Sequence, residues 1–138
     1  MSKNEKITCI VVDFERKPKV VKIEHTLEAL QKAVGGWIET VYPFDDPVAL
    51  ICNEDGIGLN LPPNRALYLD GDLRDEGRLY TVIRGKFLVV GLTEESFGDL
   101  SEELQKKYLA RFAAPEFFLN VKGQTRVYRG KTRLVSQL

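Results

Sequence analysis

Histidine and cysteine are almost missing from this sequence: His25 stands alone, and Cys9 and Cys52 are the only thiols. A closed tetrahedral zinc site takes about four such ligands, so no zinc set can be assembled. The thiols sit inside the apolar runs ITCIVV and VALIC, where free cysteine packs as a small hydrophobe. They read as reduced, buried thiols of a cytoplasmic protein. No GxxxxGK[ST] stretch occurs, which removes a P-loop nucleotide hydrolase. No apolar run reaches about 18 residues, so no segment is expected to span a membrane. The opening MSKNEKITCI lacks an apolar core followed by a small-residue cleavage site, and does not read as a secretory signal.

What remains is the composition of a globular chain. At 138 residues the length fits one domain with a real core. Net charge is zero but unevenly spread. Residues 39–76 hold nine acids and two bases, a local balance of −7. Residues 122–138 hold five bases (Lys122, Arg126, Arg129, Lys131 and Arg133) and no acid. Such separation fits a partner of opposite sign, and fits equally acidic turns and a solvated tail that merely lie apart along the chain.

Periodicity predicts hairpins rather than strand–helix–strand crossovers. KITCIVVDF and KVVKIEH, rich in β-branched residues around the turn-like ERKP, read as one hairpin. Thr26 is placed to cap the helix LEALQKAV, and Gly35 and Gly36 to end it. WIETV alternates and predicts a strand. VALIC has no polar residue to mark an exposed face, which predicts a central strand. Asn53-Glu54-Asp55-Gly56 reads as a tight hairpin turn, and LPPNRALYL as beginning in an extended edge or loop, because prolines deny the ladder donors. LYTVI and KFLVVGL read as a second hairpin about Arg84-Gly85. Ser101 is placed to cap EELQKKYLARF, and FFLNV to add a last strand. The expectation is a single α+β domain over residues 1–121, with a largely antiparallel sheet built from hairpins and two packed helices. Residues 122–138 are expected to form a loosely attached basic tail.

Most motifs dissolve on inspection. DGIGLNL resembles the start of a dinucleotide fingerprint, but Leu61 stands where the third glycine belongs, and Pro62 and Pro63 prevent a following helix. DGDLRDEG resembles a calcium loop, but Asp75 replaces the turn glycine and Thr81 the chelating glutamate. A thiol nucleophile would need Cys9 or Cys52 beside His25, for which a surface position before the capping Thr26 is the ordinary explanation. Paired carboxylates such as Asp45/Asp46 and Glu54/Asp55 read as solvated turns. No catalytic residue, metal or cofactor is assigned.

One cluster is more informative. Asn53, Glu54 and Asp55 follow the most apolar strand, Asn64 and Arg65 follow a rigid Pro-Pro, and Trp37, Tyr42 and Phe44 surround the preceding loop. Polar groups at strand ends beside aromatics suit a small-ligand pocket or a partner-binding surface. Equally, Asn64 and Arg65 would satisfy backbone groups in a long turn, with Arg65 paired to Asp55 or Glu54. On the binding reading, Arg65→Ala abolishes binding and leaves the melting temperature within a few °C. Nucleic-acid binding rests on the basic tail alone, with Val127 and Tyr128 interleaved among its arginines.

The succession VYPF, NEDG, LPPNRA and FLVVG, continuing through GKFLVVGLTEESFGDLSEELQKKYLARF and PEFF, resembles a family of small uncharacterised proteins. They are catalogued as a domain of unknown function and carried by phages, plasmids and integrative elements of Firmicutes. The resemblance spans residues 6–119. It implies a mobile-element context, often near antirestriction-type genes, and carries no catalytic residue across. With that context the leading expectation is a non-enzymatic regulatory module that binds a protein through the acidic 39–76 region. A DNA mimic would be strongly acidic overall, which a net charge of zero argues against. The other expectation is a protein that sequesters a small, nucleotide-like anion with Asn64, Arg65 and the nearby aromatics.

Overall fold

The computed structural model describes residues 5–14, 16–68 and 79–130. In chain order the elements are β1 (Lys6–Val12), β2 (Lys19–Glu24), α1 (Leu27–Val34), β3 (Ile38–Val41), β4 (Val48–Asn53) and β5 (Pro63–Tyr68). There follow β6 (Leu79–Arg84), β7 (Phe87–Leu92), β8 (Phe97–Gly98), α2 (Glu102–Arg111), β9 (Glu116–Val121) and β10 (Gln124–Arg129). The fold is α+β, as the hairpin pattern predicts. Among the described residues every pairing is antiparallel. The main sheet runs β2-β1-β7-β4-β3, with β8 on β7, beside a β5–β6 ribbon and a β9–β10 hairpin.

The pleat explains how both faces of this sheet are covered. Ile7 and Cys9 of β1, Ala49 and Ile51 of β4, and Leu88 and Val90 of β7 turn to one face, where Leu30 and Val34 of α1 close the core. Ile10, Val12, Leu50, Phe87 and Val89 turn to the other, under Leu67 and Ile83 of the ribbon and Tyr108 and Phe112. Strands buried on both faces are apolar except where a polar group is hydrogen-bonded: all six residues of β4 are buried, Val48 to Cys52 apolar and Asn53 at its end bonded through its amide. The helices begin and end where their caps require. Thr26 Oγ1 accepts from Ala29 N at 3.2 Å, and Ser101 Oγ from Leu104 N at 3.2 Å. Gly35 closes α1 in the left-handed region at φ 80°. Asp46 ties the β3–β4 loop to α2, its Oδ2 accepting from Lys107 Nζ at 2.6 Å and the Tyr108 hydroxyl at 2.7 Å. Those two hydrogen bonds hold its carboxyl below the ordinary aspartate range.

Three connections differ from expectation. β6 and β7 do not form a hairpin: β6 pairs with β5, while β7 lies between β1 and β4. The first five residues of β7 are buried, and it pairs with β1 on one side and β4 on the other, whereas β6 carries an exposed Thr81. Gly85, at φ 79°, takes the chain from ribbon to sheet. Residues 53–56 likewise do not make a two-residue hairpin. Turns run over 54–60, and β5 leaves the sheet with Pro63 as its first residue. Finally, Gln124–Arg129, expected in a loose tail, is a strand paired with β9 in six registered pairs. Lys122 (φ 52°) and Gly123 (φ 81°) form its turn, the two positive φ values of a type I′ connection. Lys131 and Arg133, and the calcium-like DGDLRDEG apart from its neighbouring strand, lie outside the described residues. Among the described residues no helix is long and apolar enough to cross a membrane.

Candidate functional site

A groove of about 330 Å³ runs between β3, the end of β4 and the β5–β6 ribbon, lined by Glu39, Cys52, Glu54, Asp55, Ile57 and Arg84 among others. Its floor is built by Asn53. The Nδ2 of Asn53 donates to Val34 O at 3.1 Å, and its Oδ1 accepts from Asp55 N at 2.8 Å. One buried amide thus ties the end of α1 to the turn after β4. Glu54 N donates to Trp37 O at 3.0 Å and fixes the start of β3 beside that turn. The side chains of Glu54 and Asp55 stay exposed. The lining thus holds three acidic residues and one basic, Arg84, which gives Nη1 to Leu61 O at 3.1 Å. The groove is acidic. Among the described residues no three His, Cys, Asp or Glu side chains converge as a metal set.

The thiol in the groove is not an activated one. Burial, reinforced by the charge of Glu39, pushes Cys52 up to about 11. Burial, with Asp99 adding to it, pushes Cys9 up to about 12. His25 sits by Ser96 instead, Nε2 to Oγ 3.2 Å. Both cysteines are therefore expected to react with a disulfide reagent at pH 8 at least tenfold more slowly in the native protein than in urea. Labelling of either at the unfolded rate would show that the strands carrying them open readily.

The groove borders an open sheet edge. β3 ends the main sheet and, among the described residues, pairs only with β4. Trp37 directly before it is 68% exposed and Tyr42 directly after it 62%, while Ile57 and Leu59 on the adjoining turn are 82% and 52% exposed. The opposite edge, β2, carries exposed Lys19 and Lys22, the charges that guard an edge against further pairing. β3 has no lysine.

The residues singled out from sequence are divided by the fold, and Phe44 packs into the core against Tyr108 and Phe112. Asn53, Glu54 and Asp55 meet at the groove, and Trp37 and Tyr42 flank its edge strand. Asn64 and Arg65 lie elsewhere, both fully buried. Asn64 Nδ2 donates to Val12 O at 3.0 Å and Gly85 O at 2.9 Å. Arg65 gives Nη1 to Asn64 Oδ1 at 2.7 Å, Nη2 to Arg16 O at 3.0 Å, and Nη2 and Nε to Phe112 O at 2.9 and 3.3 Å. Phe112 is the C-cap of α2, so this cation also complements the negative end of the helix dipole. The pairing of Arg65 with Asp55 or Glu54 is replaced by backbone carbonyls. Glu39, Ile57 and Arg84 of the groove were not legible. Glu39 and Ile57 carry no motif, and Arg84 reaches the site only through the β5–β6 pairing.

A family model, described as a domain of unknown function (DUF3846), matches residues 7–113. The chain belongs to that family. The match takes in β1 to α2 and the whole groove, and stops before the β9–β10 hairpin. Searches of the curated proteins and of the solved structures returned no significant match.

Proposed function

We propose that the protein is a non-enzymatic protein-interaction module that takes an extended, basic segment of a partner along β3 and its groove. The observation that carries this reading is the unguarded β3 edge, set between exposed Trp37 and Tyr42 beside Glu39, Glu54 and Asp55. An added strand gains main-chain hydrogen bonds from the open edge, and its side chains read the pockets alongside. The acidic lining selects lysine and arginine and speeds their encounter. In a mobile-element setting, such a module would act as a regulatory accessory that occupies a basic segment of a host or element protein. A small anionic ligand is less well supported. The donors of Asn64 and Arg65 are committed to carbonyls, and the groove repels anions.

Trp37 is the only tryptophan, so the site carries its own reporter. Titration with an alternating Lys-Val peptide is expected to shift tryptophan emission to shorter wavelength, more weakly at high salt. Glu54→Lys/Asp55→Lys should weaken that binding at least tenfold, about 1.4 kcal/mol. A peptide that leaves the emission unchanged, while inorganic phosphate or a nucleotide alters it, would overturn the reading in favour of anion binding.

A further inference from the structure

The β9–β10 hairpin is the largest feature that the groove does not explain. Its register places Phe117, Leu119 and Val121 of β9 on one face, opposite Tyr128, Arg126 and Gln124 of β10. On that face Leu119 is 56% exposed, Val121 39% and Tyr128 53%. The other face is the anchored one. Glu116 is buried there with Oε1 on Ala66 N at 2.9 Å, and Phe118 and Val127 are half-buried. Residues 117–130 hold Lys122, Arg126 and Arg129, all exposed, and no acid. Among the described residues the outer edge of β10 pairs with nothing. The hairpin is thus a pre-formed strand with a free edge, a basic rim and an apolar face.

These properties complement those of the groove. On the reading of the groove given above, we propose that its occupant is the β9–β10 hairpin of a second copy of this chain, with β10 joining β3 edge to edge. Arg126 on the open face and Lys122 at the turn of one copy then meet Glu39, Glu54 and Asp55 of the other. Leu119, Val121 and Tyr128 cover apolar surface with Trp37, Tyr42 and Ile57. Other self-contacts are disfavoured by charge. Two hairpins packed face to face bring Arg126 onto Arg126, and a hairpin on β2 meets Lys19 and Lys22. The contact is head-to-tail: each copy offers one hairpin and one groove. Association therefore either closes into a ring or continues as a chain.

Head-to-tail contact has a diagnostic mixing behaviour. A groove variant, Glu54→Lys/Asp55→Lys, keeps its hairpin, and a hairpin variant, Leu119→Ser/Arg126→Ser, keeps its groove; all four positions are exposed. In sedimentation and native mass spectrometry the parent is expected to associate at about 100 µM or below. Each variant alone should be monomeric there. Their equimolar mixture should yield a one-to-one dimer and nothing larger, because only one working interface remains. A parent that stays monomeric would overturn the inference, as would variants that associate as well as the parent, or a mixture that stays two monomers. A monomeric parent whose Trp37 still responds to the Lys-Val peptide would overturn this inference alone and leave the groove reading standing. A hairpin variant that loses DNA binding instead would assign the basic strand to nucleic acid.

Discussion

Arg65→Ala is expected to cost roughly 3–5 kcal/mol of stability, the range for removing one member of a buried charged network. The guanidinium is completely buried and donates to Phe112 O, Arg16 O, Asn64 O and Asn64 Oδ1. Alanine leaves those acceptors inside the protein without the donor that met them, and opens a hole where the side chain packed. Three parts of the chain lose their common tie: the segment after β1, the start of β5 and the C-terminus of α2. For a domain of this size the melting temperature should fall by about 10 °C or more. Lysine keeps the charge but replaces a planar fork by a point donor, so Arg65→Lys should recover less than half of the loss. Thermal unfolding followed by circular dichroism decides it. An alanine variant melting within a degree or two of the parent would show that these hydrogen bonds contribute little, and would return Arg65 to consideration as a binding residue.

A charged residue after Pro-Pro, near aromatics, looks like a site because its surroundings in sequence are loops. Its surroundings in space are set by non-local pairing, which composition does not report. Local signals were legible wherever the interaction is local. The capping threonine and serine of α1 and α2, the left-handed Gly35 and the β1–β2 hairpin are all decided within a few residues. The apolar run VALIC of β4 announced its central place because burial on both faces leaves little room for a polar side chain that is not hydrogen-bonded. What stayed hidden was which neighbour each strand takes. KFLVVGL lies next to LYTVI in sequence yet pairs with β1 and β4, and this one choice moves the ribbon across the sheet and creates the groove. Half of the site was therefore visible. Asn53, Glu54 and Asp55 come together because one asparagine bonds its own turn, whereas Arg84 arrives from the ribbon. The basic Gln124–Arg129 segment misled for a related reason. Its exposed strand has too few apolar residues to show period two, and its order comes from the Lys122-Gly123 turn and from Glu116.

Glu116→Ala is expected to be the second most damaging change, at about 2–4 kcal/mol, and it tests how the hairpin is held. Glu116 is 1% exposed, and its Oε1 takes Ala66 N at 2.9 Å while Arg111 Nη2 reaches Ala66 O at 3.3 Å. Two charged side chains thus meet the peptide groups of β5 on the side away from the ribbon, in the place of a neighbouring strand. Alanine leaves the Ala66 N–H buried without its carboxylate acceptor, and a buried donor left unmade costs more than the bond contributes when made. Because Glu116 pairs with Arg129 in the hairpin register, the loss should also release β9 and β10 locally. Their amides should exchange with solvent at least tenfold faster, beyond any change shared by β4 and β7. Glu116→Gln retains an oxygen for Ala66 N and should restore most of the protection. If the alanine variant instead exchanges evenly across the whole chain, the hairpin is no separate unit but unfolds with the core. A hairpin so coupled could not be released from the domain without unfolding it, and would reach a second copy only as a fixed part of the surface.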